Sequence, residues 1–131
     1  IACGSCVFQA KQAAEFLENT DGLKVRVLNM HTIKPIDRDA ILKAVMDTRR
    51  IITVEDHSII GGLGSAVSEV VVEAGKACAF KMLGHPDKFA PIGLHEDIMA
   101  EVGIDANGII AAVREVMHKD FEEDDNWDDE F

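Results

Sequence analysis

The chain has 131 residues, a length that fits one compact domain and leaves no room for a second core of ordinary size. With 47% apolar and 28% charged residues and only three prolines, its composition is that of a globular protein, which excludes wholesale disorder. The net charge of −11 is concentrated at one end, because Asp120, Glu122, Glu123, Asp124, Asp125, Asp128, Asp129 and Glu130 account for eight of the 24 acids, and residues 1–119 carry only −3. A body so near neutrality has no basic stripe for a phosphate backbone, and the acidic end repels nucleic acid and anionic lipid alike.

No apolar stretch is long enough to span a bilayer and no leader-like block opens the chain, so no membrane or secretory address is expected. Ile1 in place of an initiator methionine points to a fragment. Three cysteines at low density fit a reducing cytoplasm better than a disulfide framework.

Ile1 to Cys3 reads as the end of a buried strand, stopped by Gly4-Ser5. Cys6, Ala10, Ala13 and Leu17 then recur at helical spacing. Asn19-Thr20-Asp21-Gly22 closes that helix, and Leu23, Val25 and Val27 alternate with Lys24 and Arg26 as a strand with one wetter face. Pro35 closes the next loop. Asp37 caps a second helix whose inner stripe is Ala40, Ile41, Ala44 and Val45, and Ile51-Ile52-Thr53-Val54 is the central-strand candidate, covered on both faces.

Gly61, Gly62 and Gly64 open a third helix with Leu63, Val67, Val70, Val71 and Ala74 on one side, ending at Gly75. Ala77 to Leu83 makes a fourth strand. After a loop from Gly84 to Gly93, a short helix runs near Glu96 to Val102 and stops at Gly103. Asp105 caps the last helix, whose stripe is Ile109, Val113, Val116 and Met117. Residues 1–119 thus form one domain, and residues 120–131 are expected to be a solvated, disordered acidic tail.

Strand starts near residues 1, 24, 51 and 78 have the spacing of right-handed βαβ units, which predicts an α/β fold with a mostly parallel sheet. If the first strand lies between the second and the third, the chain reverses direction there and a ligand crevice opens at the carboxyl edge. The segments at that edge are Cys3-Gly4-Ser5-Cys6 and residues 55–62.

Three constellations carry possible chemistry. Cys3 and Cys6 have the spacing of a redox dithiol at a helix start, where the helix would lower a thiol pKa; the alternative is a small-residue turn with one cysteine in the strand and the other on the helix's inner face. Gly61-Gly62-Leu63-Gly64 offers backbone N–H groups to an anion, but Val67 stands where G-x-G-x-x-G needs glycine, so a tight turn for close packing is the plainer reading.

Glu55-Asp56-His57 places two carboxylates and an imidazole at the end of the central strand, yet adjacent strand residues face opposite ways and converge only if the loop turns at once. Interface contacts or loop-fixing hydrogen bonds are the alternative to an acid, base or metal ligand. His95-Glu96 lacks a second histidine four residues on, since Met99 is there, which disfavours zinc. No nucleophile and base share a local signature.

Taken together, Asn29-Met30-His31-Thr32-Ile33-Lys34-Pro35-Ile36-Asp37, Ile52-Thr53-Val54-Glu55-Asp56-His57 and Gly61-Gly62-Leu63-Gly64-Ser65-Ala66-Val67 resemble the C-terminal domain of transketolase. Gly84-His85-Pro86-Asp87-Lys88-Phe89 and Val102-Gly103-Ile104-Asp105-Ala106-Asn107-Gly108-Ile109 resemble the end of the same domain, so the likeness covers nearly all of residues 1–119 in order. The stretch from Asn29 to Asp37 points to the animal-like or split form. Deoxyxylulose phosphate synthase and the β chain of 2-oxo acid dehydrogenases are similar in the same places, and Asn29-Met30-His31 favours transketolase over both.

The resemblance implies a three-layer α/β/α domain of an enzyme that moves two-carbon ketol units between sugar phosphates in the pentose phosphate pathway. Thiamine diphosphate and Mg2+ are implied for the complete enzyme and neither for this chain, because the diphosphate-and-metal motif and the glutamate that activates the thiamine ring belong to other domains. No catalytic, cofactor-binding or metal residue is therefore assigned. An interface or ligand loop is expected at Glu55, Asp56, His57, Gly61, Gly62 and Gly64. The implied partners are the remaining transketolase domains or an N-terminal subunit, in a homodimer of the complete enzyme. The acidic tail and the Cys3/Cys6 pair depart from the family pattern. A stand-alone regulatory domain for a small ligand is the other reading.

Overall fold

A computed structural model describes residues 1–119, and the expected acidic tail at 120–131 lies outside the described residues. The elements are α1 (Cys6–Asp21), α2 (Arg38–Thr48), β1 (Arg50–Ser58), α3 (Leu63–Glu73), β2 (Ala79–His85), α4 (His95–Val102) and α5 (Ala106–Met117). All five expected helices form. The Asp37 carboxylate accepts the Ala40 N–H at 3.0 Å and the Asp105 carboxylate accepts the Gly108 N–H at 2.8 Å, so both predicted caps hold.

β1 and β2 pair in parallel from Arg50↔Ala79 to Val54↔Leu83, with an irregularity before Ser58↔His85. On the other side of β1, the Val54 N–H donates to the Ile1 carbonyl and the Cys3 N–H to the Val54 carbonyl. Beyond Ile1 to Cys3, the Ala2 N–H donates to Leu28 and the Met30 N–H to Ala2. The lateral order is therefore residues 28–30, residues 1–3, β1 and β2, all parallel. That order is the one that reverses winding beside the first strand.

Two of the four expected strands are corrected. Ala2 makes only isolated bridges, to Asn29 and Val54, and the stretch from Leu23 to Val27 forms neither a strand nor a bridge. Among the described residues, none pairs with residues 23–27.

The sheet lies between two helix layers. Cys6, Ala10, Ala13 and Leu17 of α1 pack with Val54 and with Ile109 and Val113 of α5. On the opposite face, Ile41, Ala44 and Val45 of α2 pack with Ile51 and with Leu63, Val67 and Val70 of α3. β1 is thus covered on both faces, as its unbroken Ile51-to-Val54 run predicts. Met117 departs from expectation: it is exposed, and Ile110 and Ala112 join Ile109, Val113 and Val116 inside. Arg114 on α5 clasps the end of α1 through two bonds to the Asp21 carboxylate at 2.8 and 2.9 Å, which hold the Asp21 pKa down to about 2. No described helix is long and apolar enough to cross a membrane.

Candidate functional site

The end of β1 and the turn into α3 contain the expected loop residues. Strand alternation separates Glu55 from Asp56, so the three neighbours Glu55, Asp56 and His57 do not converge on one point. Glu55 is buried, and its two carboxylate oxygens accept the N–H groups of Leu63 at 2.7 Å and Gly64 at 2.8 Å. Those are two of the donors that the first turn of a helix leaves without a partner, and the negative charge sits at the positive end of α3. The anion that fills the glycine turn is therefore the protein's own carboxylate.

This arrangement explains the glycines. A Cβ on Gly62 would collide with the Glu55 carboxylate and come within 2.8 Å of His57 Nδ1. A Cβ on Gly64 would come within 2.6 Å of Met82 Sδ and 2.8 Å of Thr53 Oγ1. Gly61 has a positive φ of 77°, whereas Gly62 has a φ of −101° and is needed for close approach alone. The turn is further tied by the Ser65 hydroxyl, which accepts the Gly61 N–H at 2.9 Å.

Asp56 faces the other way. Its Oδ1 lies 2.8 Å from His85 Nε2 at the end of β2, and its Oδ2 lies 3.8 Å from His95 Nδ1 at the start of α4. Sequence reasoning missed this group. The signal available was the parallel pairing of the third and fourth strands, which brings their carboxyl ends side by side. His57 is largely exposed, with Nδ1 2.7 Å from the Ser58 carbonyl and 3.6 Å from Glu55 Oε2.

The cysteine turn is not activated. Burial pushes the Cys6 thiol up to about 11, with the charge of Asp56 and the neighbouring Cys3 adding to it. Burial and the Glu55 charge also raise Cys3. Cys3 and Cys6 are free thiols, and Cys6 lies on the inner face of α1, as the small-residue-turn reading has it. A helix start that lowers a thiol pKa is not what this environment supplies.

Among the described residues, no group of three or more His, Cys, Asp or Glu side chains is placed to hold a metal ion. The α3 amides that could cradle a diphosphate are already bonded to Glu55, and the Asp56 carboxylate is paired with His85. The residues present do not fit thiamine diphosphate with its metal. What this edge does offer is apolar surface: Phe8 on the first turn of α1 and Ile60, Phe89, Ile92 and Leu94 on the connections that leave the carboxyl ends of β1 and β2 are exposed.

The family model for the transketolase C-terminal domain matches residues 1–109. The chain belongs to the transketolase C-terminal domain family. It is 41% identical over 118 residues to 1-deoxy-D-xylulose-5-phosphate synthase 1 of Geobacter metallireducens, covering 89% of this chain and 19% of that protein. It is also 41% identical over 119 residues to a subunit of the apulose-4-phosphate transketolase of Phocaeicola vulgatus, covering 91% of this chain and 37% of the relative. A solved structure described as a split gene transketolase, inactive beta4 tetramer, superposes with a TM-score of 0.82 at 34% identity, over 88% of this chain and 37% of that one. The family's domain thus spans about a fifth to just over a third of these relatives, and its fold is the α/β/α architecture described above.

Proposed function

We propose that the chain is the C-terminal domain of a thiamine-diphosphate-dependent transketolase that transfers two-carbon ketol units between sugar phosphates. On this reading the domain supports assembly and does not carry the chemistry. The observation that carries it is the state of the carboxyl edge. The groups there that could act on a substrate or hold an anion are engaged within the domain: Glu55 with the α3 amides, Asp56 with His85. Beside them lies a rim of exposed apolar side chains, including Phe89 and Ile92, of the kind that marks a contact with another protein surface.

Thiamine diphosphate and Mg2+ then belong to the remaining domains or to an N-terminal subunit. The complete enzyme is a cytoplasmic homodimer of the pentose phosphate pathway, and the loop from Glu55 to Gly64 meets the rest of the assembly. A split arrangement is favoured by the two transketolase relatives, one a subunit of its enzyme and the other the product of a split gene.

The second reading, the equivalent domain of a 1-deoxy-D-xylulose-5-phosphate synthase, is favoured by the 41% identity to the Geobacter protein. Both readings are tested by adding the chain to its cognate remaining domains with thiamine diphosphate and magnesium. Ketol transfer from a ketose phosphate to an aldose phosphate is expected. Formation of 1-deoxy-D-xylulose 5-phosphate in its place would select the second reading. A micromolar thiamine diphosphate affinity of the chain alone would overturn the assignment of the cofactor to other domains.

A further inference from the structure

The connection between β2 and α4 is fastened at its ends. Among the described residues, the backbone of residues 86–94 makes one hydrogen bond within itself, from the Lys88 N–H to the Pro86 carbonyl at 2.7 Å. At the first end His85 closes β2. Its carbonyl accepts the Ile59 N–H at 3.0 Å, and its Nε2 lies 2.8 Å from Asp56 Oδ1. At the other end His95 opens α4, with Nδ1 3.8 Å from Asp56 Oδ2, which is within reach of an ion pair but beyond hydrogen-bond length. One carboxylate on β1 thus faces both ends of the segment.

What the segment carries between these ends is apolar. The run Phe89-Ala90-Pro91-Ile92-Gly93-Leu94 has no charged or hydrogen-bonding side chain, and Phe89 and Ile92 are fully exposed. Water is a poor solvent for such a run, so its burial against another surface is favourable. A loosely held segment would lose most of that gain to the entropy of ordering it. Pro91 limits this loss in the middle of the run, and the fastening at His85 and His95 limits it at the ends. Ile60, exposed on the turn between β1 and α3, belongs to the same carboxyl edge.

We propose that residues 86–94 are a docking strap and that Asp56 is its positioning residue, holding His85 and His95 so that the run from Phe89 to Leu94 enters an apolar groove on the rest of the enzyme. This rests on the assembly reading above and names the element that makes the contact. The matching region is 37% of each of the two transketolase relatives, so most of such an enzyme lies outside this domain, and that remainder supplies the groove. Phe89 and Ile92 are the anchors, because nothing in the domain covers them. Asp56 acts only through the strap.

Two measurements test it: calorimetric titration of the chain into its cognate remaining domains, and NMR order parameters of residues 86–94 in the chain alone. Phe89→Ser/Ile92→Ser is expected to weaken binding about a hundredfold and to leave the order of the strap unchanged. Asp56→Ala is expected to lower the order parameters of residues 86–94 below about 0.6 and to weaken binding about tenfold, the equivalent of one hydrogen bond to a charged group. Asp56→Asn, which keeps an acceptor for His85 Nε2, should restore most of both. In the Phe89→Ser/Ile92→Ser background Asp56→Ala should cost no further affinity, because it acts through the strap. His85→Leu removes the same bond from the other side and serves where Asp56→Ala does not fold. Unchanged strap order in these two variants, or unchanged affinity in Phe89→Ser/Ile92→Ser, would overturn the proposal and leave the assembly reading standing. Failure of the unaltered chain to bind would overturn that reading and the proposal with it. Self-association that Phe89→Ser/Ile92→Ser abolishes would assign the strap to a second copy and overturn the proposal alone.

Discussion

Replacing Gly62 by Ala tests the account of the α3 turn most directly. The new Cβ would occupy the position of Glu55 Oε2 and crowd His57 Nδ1, and the carboxylate would have to leave the Leu63 and Gly64 amides. A hydrogen bond to a charged group contributes about 1.5–3 kcal/mol, and two bonds to one carboxylate are not additive, so a loss of about 2–4 kcal/mol is expected. Gly61→Ala is the control, because its Cβ meets open space and its only penalty is a φ of 77°, about 1–2 kcal/mol. Urea unfolding followed by circular dichroism measures both. The two effects are also coupled: in a Glu55→Ala background the collision with the carboxylate is gone, the largely exposed His57 ring can turn aside, and Gly62→Ala should cost about 1 kcal/mol or less. A Gly62→Ala loss no greater than that of Gly61→Ala, or one unchanged in the Glu55→Ala background, would refute the reasoning.

The Thr53 hydroxyl is buried with no hydrogen-bond partner among the described residues, so Thr53→Val is expected to be neutral or to stabilise by about 1 kcal/mol in the same urea assay. His57→Ala should cost the chain about 1 kcal/mol or less, because the ring is largely exposed; in the complete enzyme, weakened assembly with normal turnover per assembled unit is expected, and intact assembly with a collapse of kcat would move His57 into the active site. Cys6 should react with a disulfide reagent at pH 7 far more slowly than a free thiol, and a rate equal to that of glutathione would contradict its raised pKa. The Ile1 amine has a pKa of 8.0 when unfolded and about 6 when folded, so between those values the unfolded chain binds more protons and stability rises with pH. The gain across pH 6 to 8 is up to about 3 kcal/mol, read as the difference from an N-acetylated chain that lacks this group.

Local features were legible because they repeat along the chain. The stripe Cys6, Ala10, Ala13, Leu17 and the caps Asp37 and Asp105 need only helical periodicity and a short side chain reaching three residues on, and the structure has them where the sequence places them. The unbroken run from Ile51 to Val54 likewise announces a strand with a helix layer on each face. Strand alternation also foretold that Glu55 and Asp56 would part company. What each then meets was decided by tertiary structure. Glu55 reaches amides eight and nine residues on because β1 ends beside the start of α3, and Asp56 meets His85, 29 residues away, because β1 and β2 pair in parallel. The same holds for Gly62, whose need for glycine comes from a neighbouring carboxylate and not from its own dihedral angles. Residues 23–27 show the limit from the other side: their alternation is that of a strand, but a strand exists only where a second one supplies the opposing hydrogen bonds, and no property of those five residues determines that.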